Sequence, residues 1–286
     1  MATAKPVNDR RTQHGFVKRG FVHGPDGNIE YMEAGSGPPL ILLHPAPSSG
    51  ALFQEALPLL AADVRAIAMS QPGFGESDTP PAAYSTVHEY ARAVTWLLDG
   101  LGIERAHVLG TLTGSLTALE VAAGWPERVD RLVIEECFNW NRPERRATLD
   151  REHDVEESDD GSHLLAMWER ARNVTSRESS DPDEVARGTR RRVLDALRSA
   201  RPGPDGASGQ DASTNALLSY PLWERAPLVQ APTLVVHGTG SALGRAHERL
   251  IEAIPDARGI RPATSHQFTW RSAPELWVAE LRAFLG

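Results

Sequence analysis

The sequence predicts an α/β protein: a mostly parallel sheet with helices on both faces and an inserted helical cap. Three observations lead there. Short β-type runs alternate with helical patterns. The central runs are apolar throughout, as strands buried on both faces are. The alternation breaks once, between about Phe138 and Val229, and then resumes.

The elements follow in order. Residues 16–22 and 28–34 flank Pro25-Asp26-Gly27, a turn by its residue types, so they read as a hairpin. Residues 40–43, 64–68, 106–109, 131–135 and 233–236 read as buried strands. Helical spacing covers 52–60, 87–101, 115–123, 246–254 and 275–284. The interruption is rich in Arg, Asp, Glu and Ser and contains no strong strand. It holds helical segments at 163–172 and 183–197, and a Gly/Pro/Ser stretch at 201–214 expected to be a mobile loop. The expected division is a disordered leader at 1–14, a core of 15–137 and 229–286, and a cap of 138–228. No internal repeat is present.

At 286 residues the chain is long enough for one large α/β domain with a lid. The net charge of −8 argues against nucleic acid or an anionic membrane as partner, since both call for a basic patch. The arginine-rich stretch 187–192 reads as the solvated face of a helix. One cysteine excludes an intrachain disulfide and fits a reducing compartment. Residues 1–13 lack the apolar core of a signal peptide, and no run approaches the ~20 apolar residues of a membrane span. A cytoplasmic protein is expected, with homodimerisation left open.

The most informative segment is Gly110-Thr111-Leu112-Thr113-Gly114. It follows a predicted strand and precedes a predicted helix, so it reads as a tight glycine-flanked turn that pushes one side chain upward. That side chain is Leu112, which has no lone pair with which to attack a substrate.

Four further segments stand in order along the chain: residues 31–39 (YMEAGSGPP), Leu42-Leu43-His44-Pro45, Gln71-Pro72-Gly73-Phe74-Gly75-Glu76-Ser77, and residues 231–238 (APTLVVHG). With these markers the chain resembles the α/β-hydrolase superfamily, in its capped branch with haloalkane dehalogenases, epoxide hydrolases and carbon–carbon bond hydrolases. The resemblance covers roughly 15–137 and 229–285. It implies the α/β-hydrolase fold with an eight-stranded sheet, and a nucleophile elbow G-x-S-x-G at 110–114.

The departures from the family are specific. Leu112 stands at the nucleophile. Ser241 stands where the usual acid is expected. Ser70 replaces the Asp that usually precedes the P-G-x-G-x-S loop, and Pro45 replaces the Gly after His44. The resemblance places the family histidine at His266. It places a substitute acid, as in some haloalkane dehalogenases, at Glu136. Neighbours in a strand point to opposite faces, so one of Glu135 and Glu136 should face the site. Such a carboxylate would fix the tautomer of His266 and raise its basicity. The family's oxyanion hole implies backbone donors at Ala46 and Thr113. His44, Thr111, Cys137, Trp140 and Trp168 are candidate contacts to a ligand. Met167 joins them as a lid candidate, with plain cap packing as the rival reading, and nothing decides where His163 points. Cys137 is a poor nucleophile unless its pKa is lowered.

The expected function is a cofactor-free, metal-free enzyme of this fold that forms no covalent intermediate. His266, with Glu136, would act as general base or acid on a hydrophobic small molecule. Cyclisation, isomerisation, elimination, carbon–carbon cleavage and base-activated hydrolysis all fit that equipment. The Ala- and Arg-rich composition resembles that of high-GC actinobacterial chains, which by association suggests natural-product biosynthesis. A non-catalytic ligand-binding protein is the alternative. A hydrolase with an unusual nucleophile, Cys137 or a threonine, ranks last.

Overall fold

The computed structural model describes residues 17–141, 158–264 and 268–286. The leader expected at 1–14, part of the expected cap, and His266 lie outside them. The strands are β1 (Lys18–Gly24), β2 (Gly27–Ala34), β3 (Pro39–Leu43), β4 (Arg65–Met69), β5 (Ala106–Thr111), β6 (Val129–Glu135), β7 (Thr233–Val236) and β8 (Ala257–Ile260). They form one sheet in the order β1-β2-β4-β3-β5-β6-β7-β8. The β1–β2 hairpin and the β2–β4 pair are antiparallel. From β4 to β8 every pairing is parallel.

The apolar runs became central strands because both of their faces are covered. Leu40, Ile41, Leu42 and Leu43 are all fully buried, and their alternate side chains enter two separate clusters, one on each side of the sheet. Strand β8 escapes an apolar reading because it is an edge: Arg258 and Gly259 are exposed.

The helices are α1 (Leu57–Leu60), α2 (Val87–Gly100), α3 (Gly114–Gly124), α4 (Ser162–Glu178), α5 (Pro182–Ser199), α6 (Gly209–Ser219), α7 (Leu222–Arg225), α8 (His247–Ala253), α9 (Thr269–Ser272) and α10 (Pro274–Leu285). Helix α2 starts at a capping box: the Thr86 hydroxyl accepts the Glu89 N–H, and the Glu89 carboxylate accepts the Thr86 N–H at 2.9 Å. Helix α3 is buried from Gly114 to Ala122 and therefore carries no polar stripe.

Two sequence expectations are corrected. The single helix over 52–60 is a 3₁₀ turn, Gly50–Phe53, followed by the short α1. Pro58 has no N–H to continue a helical ladder from the preceding turn. The loop expected at 201–214 gives way to α6 from Gly209 onward. Ser208 caps that helix by accepting the Asp211 N–H at 3.1 Å. The helix packs so tightly on the core that a Cβ at Gly209 would lie 2.3 Å from the Gly73 carbonyl oxygen.

The insertion between β6 and β7 is fastened to the core by buried polar contacts. Glu120 of α3 accepts two hydrogen bonds from Arg225, at 2.7 and 2.9 Å, one from the Tyr220 hydroxyl at 3.0 Å and one from His88 at 2.8 Å. The Ser49 hydroxyl donates to Asp195 of α5 at 2.7 Å. Breaking a buried pair by removing one partner costs more than removing both. We expect Glu120→Leu to lower the unfolding free energy by about 3 kcal/mol. Glu120→Leu with Arg225→Met should recover much of the loss, as measured by urea denaturation.

Candidate functional site

The sheet register lines up the points where the chain leaves it. Leu43 pairs with Gly110, Gly110 with Ile134, and Ile134 with Val235. The segments beginning at His44, Leu112, Glu136 and His237 therefore emerge side by side at the carboxyl ends of parallel strands. Strand β3 lies between β4 and β5, so the chain reverses its direction of travel across the sheet at β3. Crevices at such switch points are where ligands bind in open α/β sheets.

The elbow is intact in every backbone respect. Leu112 has φ of 52°, the left-handed conformation that a branched side chain rarely adopts. Its N–H donates to the Glu135 carbonyl at 2.8 Å, and its carbonyl accepts the Ser115 N–H at 3.1 Å and the Ser115 hydroxyl. The flanking glycines are required by close approach: a Cβ at Gly110 would lie 2.2 Å from the Gly114 carbonyl oxygen, and one at Gly114 2.3 Å from that of Leu43. The half-buried Leu112 side chain packs on an apolar cluster that includes Phe53, Phe268 and Trp270.

The expected pair of open backbone donors is not what the structure contains. The Ala46 N–H is already bonded to the Thr113 hydroxyl oxygen at 2.8 Å. His44, expected as a ligand contact, is completely buried and instead braces this loop. Its Nε2 accepts the Gln71 N–H at 2.9 Å, so Nδ1 carries the proton and donates to the Pro45 carbonyl at 3.0 Å. Burial pushes its pKa down to about 4, which keeps the ring neutral. Gln71 completes the brace by donating its side-chain amide to the His44 carbonyl at 3.0 Å. Beside Ala46 and Thr113, a cavity lined by Gln71, Tyr90, Thr117 and Ser213 leaves room for about one water molecule.

Glu135 and Glu136 diverge, but not by strand alternation: β6 ends at Glu135, and Glu136 turns out of it. Glu136 has φ of 54°. With Leu112 it makes up the pair of non-glycine residues in the left-handed region among the described residues. Its carboxylate accepts the Gly238 N–H at 2.7 Å and the Ser241 hydroxyl. It thus lies against the loop where the family's acid is expected, and burial raises its pKa. The Gly240 N–H of that loop donates to the Thr264 carbonyl at 3.0 Å, two residues before His266. The sequence reading takes Ser241 only as a missing acid, yet its hydroxyl donates to the Glu136 carboxylate.

The other candidates divide between buried and accessible positions. Thr111 is fully buried. Cys137 is fully buried too, and its thiol is pushed up to about 12 by burial, so it supplies no thiolate. Trp140 is half-buried against Phe138, with ring centroids 4.6 Å apart. Trp168 on α4 is 40% exposed, and Met167 beside it is half-buried. His163 closes the start of α4, where its Nδ1 accepts the Ser158 N–H at 3.2 Å.

The stretch 187–192 is not simply a solvated face. Arg187 and Arg190 are exposed, but Arg192 pairs with Glu178, and Nη2 of Arg191 is buried without a hydrogen-bond partner. Burial and the nearby Arg271 guanidinium pull the Arg191 pKa down to about 10. Arg271 lies in α9 beside the apolar neighbours of Leu112, with its guanidinium 4.6 Å from the Trp270 ring centroid. The signal missed in the sequence is the helical period: Arg187 and Arg190 lie on an exposed face, while Arg191 and Arg192 turn from it.

Glu135, the other member of the carboxylate pair, has its own place. It is fully buried beneath the elbow, and Oε1 accepts the Thr269 N–H at 3.1 Å. Oε2 has no well-formed hydrogen bond, and neither do the nearby hydroxyls of Thr111 and Thr269. Burial drives its pKa up to about 7. The folded protein then holds this proton between pH 4.5 and 7 while the unfolded chain releases it, so stability falls as pH rises through that window. We expect the unfolding free energy to drop by roughly 3 kcal/mol more in wild type than in Glu135→Gln between about pH 4.5 and 8. Guanidinium denaturation across that range checks it.

Comparison with known proteins matches this geometry. The family model of the alpha/beta hydrolase fold matches residues 38–268. A 2-hydroxy-6-oxo-6-phenylhexa-2,4-dienoate hydrolase of Comamonas testosteroni is 38% identical over 110 residues, covering 37% of this chain and 38% of that protein. Haloalkane dehalogenase 2 of Mycobacterium tuberculosis is 30% identical over 114 residues, 40% of each chain. The matched region thus spans about two fifths of the length of these curated relatives. Among solved structures, a hydrolase of Pseudomonas aeruginosa superposes with a TM-score of 0.76 at 22% identity, covering 94% of this chain and 98% of that one. The enol-lactonase of Burkholderia xenovorans superposes at 0.75 with 21% identity, covering 93% and 99%. With sheet order, elbow and sequence model in agreement, the chain belongs to the α/β-hydrolase fold family.

Proposed function

We propose that this protein is a cofactor-free enzyme that works without a covalent intermediate, using His266 supported by Glu136 for acid–base chemistry on a hydrophobic small molecule bearing a carboxylate. The observation that carries the reading is the position of Glu136. Its carboxylate is held by Gly238 and Ser241 on the loop that also bonds the segment leading to His266. A carboxylate there supports an imidazole as base, while Leu112 offers nothing to acylate. The leucine floor removes water from the site and strengthens nearby electrostatics. Isomerisation, cyclisation, elimination and carbon–carbon cleavage all need a positioned base of this kind.

Arg191 supports the substrate class. Although the Glu55 and Asp195 carboxylates lie near its charge, its buried Nη2 has no hydrogen-bond acceptor, and a planar carboxylate fits that fork. The relatives named as oxo-dienoate and oxo-dienedioate hydrolases act on carboxylates. Charge-assisted hydrogen bonds contribute about 1.5–3 kcal/mol, or roughly 10- to 100-fold in affinity. We expect Arg191→Met to weaken binding of benzoate by at least tenfold in calorimetric titration, with little change for benzamide.

The acid–base role is tested by deuterium exchange from D2O into 4-oxopentanoate, a small enolisable carboxylate, followed by NMR. His266→Ala and Glu136→Gln should each slow exchange by roughly 100-fold or more. In wild type the exchange should fade on acidification at a pH above the ordinary carboxylate range, because Glu136 must be ionised to support the imidazole and its pKa is raised. A fluorophosphonate probe should leave the protein unlabelled; stoichiometric labelling would sink the non-covalent reading. A ligand-binding protein without catalysis is the second reading, favoured by the leucine at the elbow, which offers no attacking atom. It expects benzoate to bind with no protein-dependent exchange at all.

A further inference from the structure

We infer that Thr113 is a specificity-determining residue that closes the oxyanion hole and turns it into a hydroxyl donor for a neutral oxygen. This rests on the proposed reading only in taking the site to bind a ligand above the elbow. In this fold the hole is built from the N–H that follows the nucleophile and an N–H of the segment after β3. A developing oxyanion sits about 2.7–3.1 Å from such donors. The Thr113 hydroxyl oxygen lies 2.8 Å from the Ala46 nitrogen, so it occupies the place of that oxyanion. An N–H has one proton to give, and the Ala46 proton is already given.

The contact is held from several sides. Thr113 stands at the start of α3, directly after the left-handed turn, and is only 7% exposed. Its β-branched side chain has few rotamers to choose from. The Ala46 loop is fixed by the neutral His44 ring and by Gln71. Having accepted from Ala46, the hydroxyl keeps its own proton to donate. In the water-sized cavity that it lines, the Thr117 hydroxyl is engaged with the Gln71 side-chain oxygen at 3.0 Å. The chain from the Ala46 N–H thus passes to the Thr113 O–H, on the wall of a cavity also lined by Ser213 of α6. A donor polarised in this way binds a carbonyl or hydroxyl oxygen of a ligand. It offers no second N–H to a tetrahedral anion, so esters are refused even where an attacking atom is supplied.

The test supplies that atom. Leu112→Ser is made alone, with Thr113→Ala and with Thr113→Ser, and kcat/KM for p-nitrophenyl acetate is measured after circular dichroism confirms folding. One oxyanion donor is worth about 10²–10³-fold. The Leu112→Ser/Thr113→Ala protein should therefore exceed Leu112→Ser by about 100-fold. The Leu112→Ser/Thr113→Ser protein, which keeps the hydroxyl, should match Leu112→Ser. Equal rates for Leu112→Ser with and without Thr113→Ala overturn the inference. So does a rise with Thr113→Ser as large as that with Thr113→Ala. In otherwise wild-type protein, Thr113→Val should speed hydrogen exchange of the Ala46 amide by at least tenfold; unchanged protection also overturns it. Neither measurement uses 4-oxopentanoate exchange, so failure here is distinct from failure of the acid–base reading.

Discussion

The left-handed turn at Leu112 is the constraint on which the site depends. It converts the end of β5 into the start of α3 within three residues, and it sets which groups face one another across the carboxyl ends of the sheet. Holding a leucine there costs on the order of 1–3 kcal/mol. The opposing forces are visible: a backbone hydrogen bond to Glu135, two bonds from Ser115, and two glycines that let helix and strand approach within contact of bare backbone. None of these involves the residue-112 side chain. The turn is therefore a property of the packing, and the side chain it displays is free to be something other than a nucleophile.

A second regularity links two places that look unrelated in sequence. At position 70 the family's aspartate is replaced by serine, and Glu30 of the neighbouring β2 takes the Ser70 hydroxyl at 2.7 Å and the Glu76 N–H at 3.0 Å. At position 241 the acid is again replaced by serine, and Glu136 at the end of the neighbouring β6 takes the Ser241 hydroxyl and the Gly238 N–H. In both cases a serine stands where the family resemblance expects a carboxylate, and it donates to a glutamate from a neighbouring segment. Each glutamate also accepts a backbone N–H of the loop it faces, Glu76 for Glu30 and Gly238 for Glu136.

Much of the fold is legible because burial on two faces writes itself as unbroken apolar runs, as at Leu40, Ile41, Leu42 and Leu43. Strand β8 is not, because an edge strand with Arg258 exposed has no such run. Helix α6 is hidden by the glycines and serines that let it dock, since Gly209 is a packing requirement against Gly73 rather than a flexibility signal. At the site, Leu112 and Glu136 can be found by their place in the motif order. The Thr113 contact cannot, because it joins a side chain to a backbone amide 67 residues away and leaves no periodic trace. Arg191 escapes a sequence reading for a related reason: composition reports how many arginines a helix carries, and only packing decides which one is stripped of water.

The insertion meets the core at Ser49, at Gly73 and Glu76 of one loop, and at Glu120, points that belong to three segments of the core. Among the described residues, an insertion held at several separated points has no single axis about which to swing. On the proposed reading, a small molecule would pass by transient parting of those contacts, and association would then run below the roughly 10⁵–10⁷ M⁻¹s⁻¹ typical of preformed docking. Selection among ligands would then be exercised at the threshold, by how long each must wait to enter, as well as by the contacts it makes once inside.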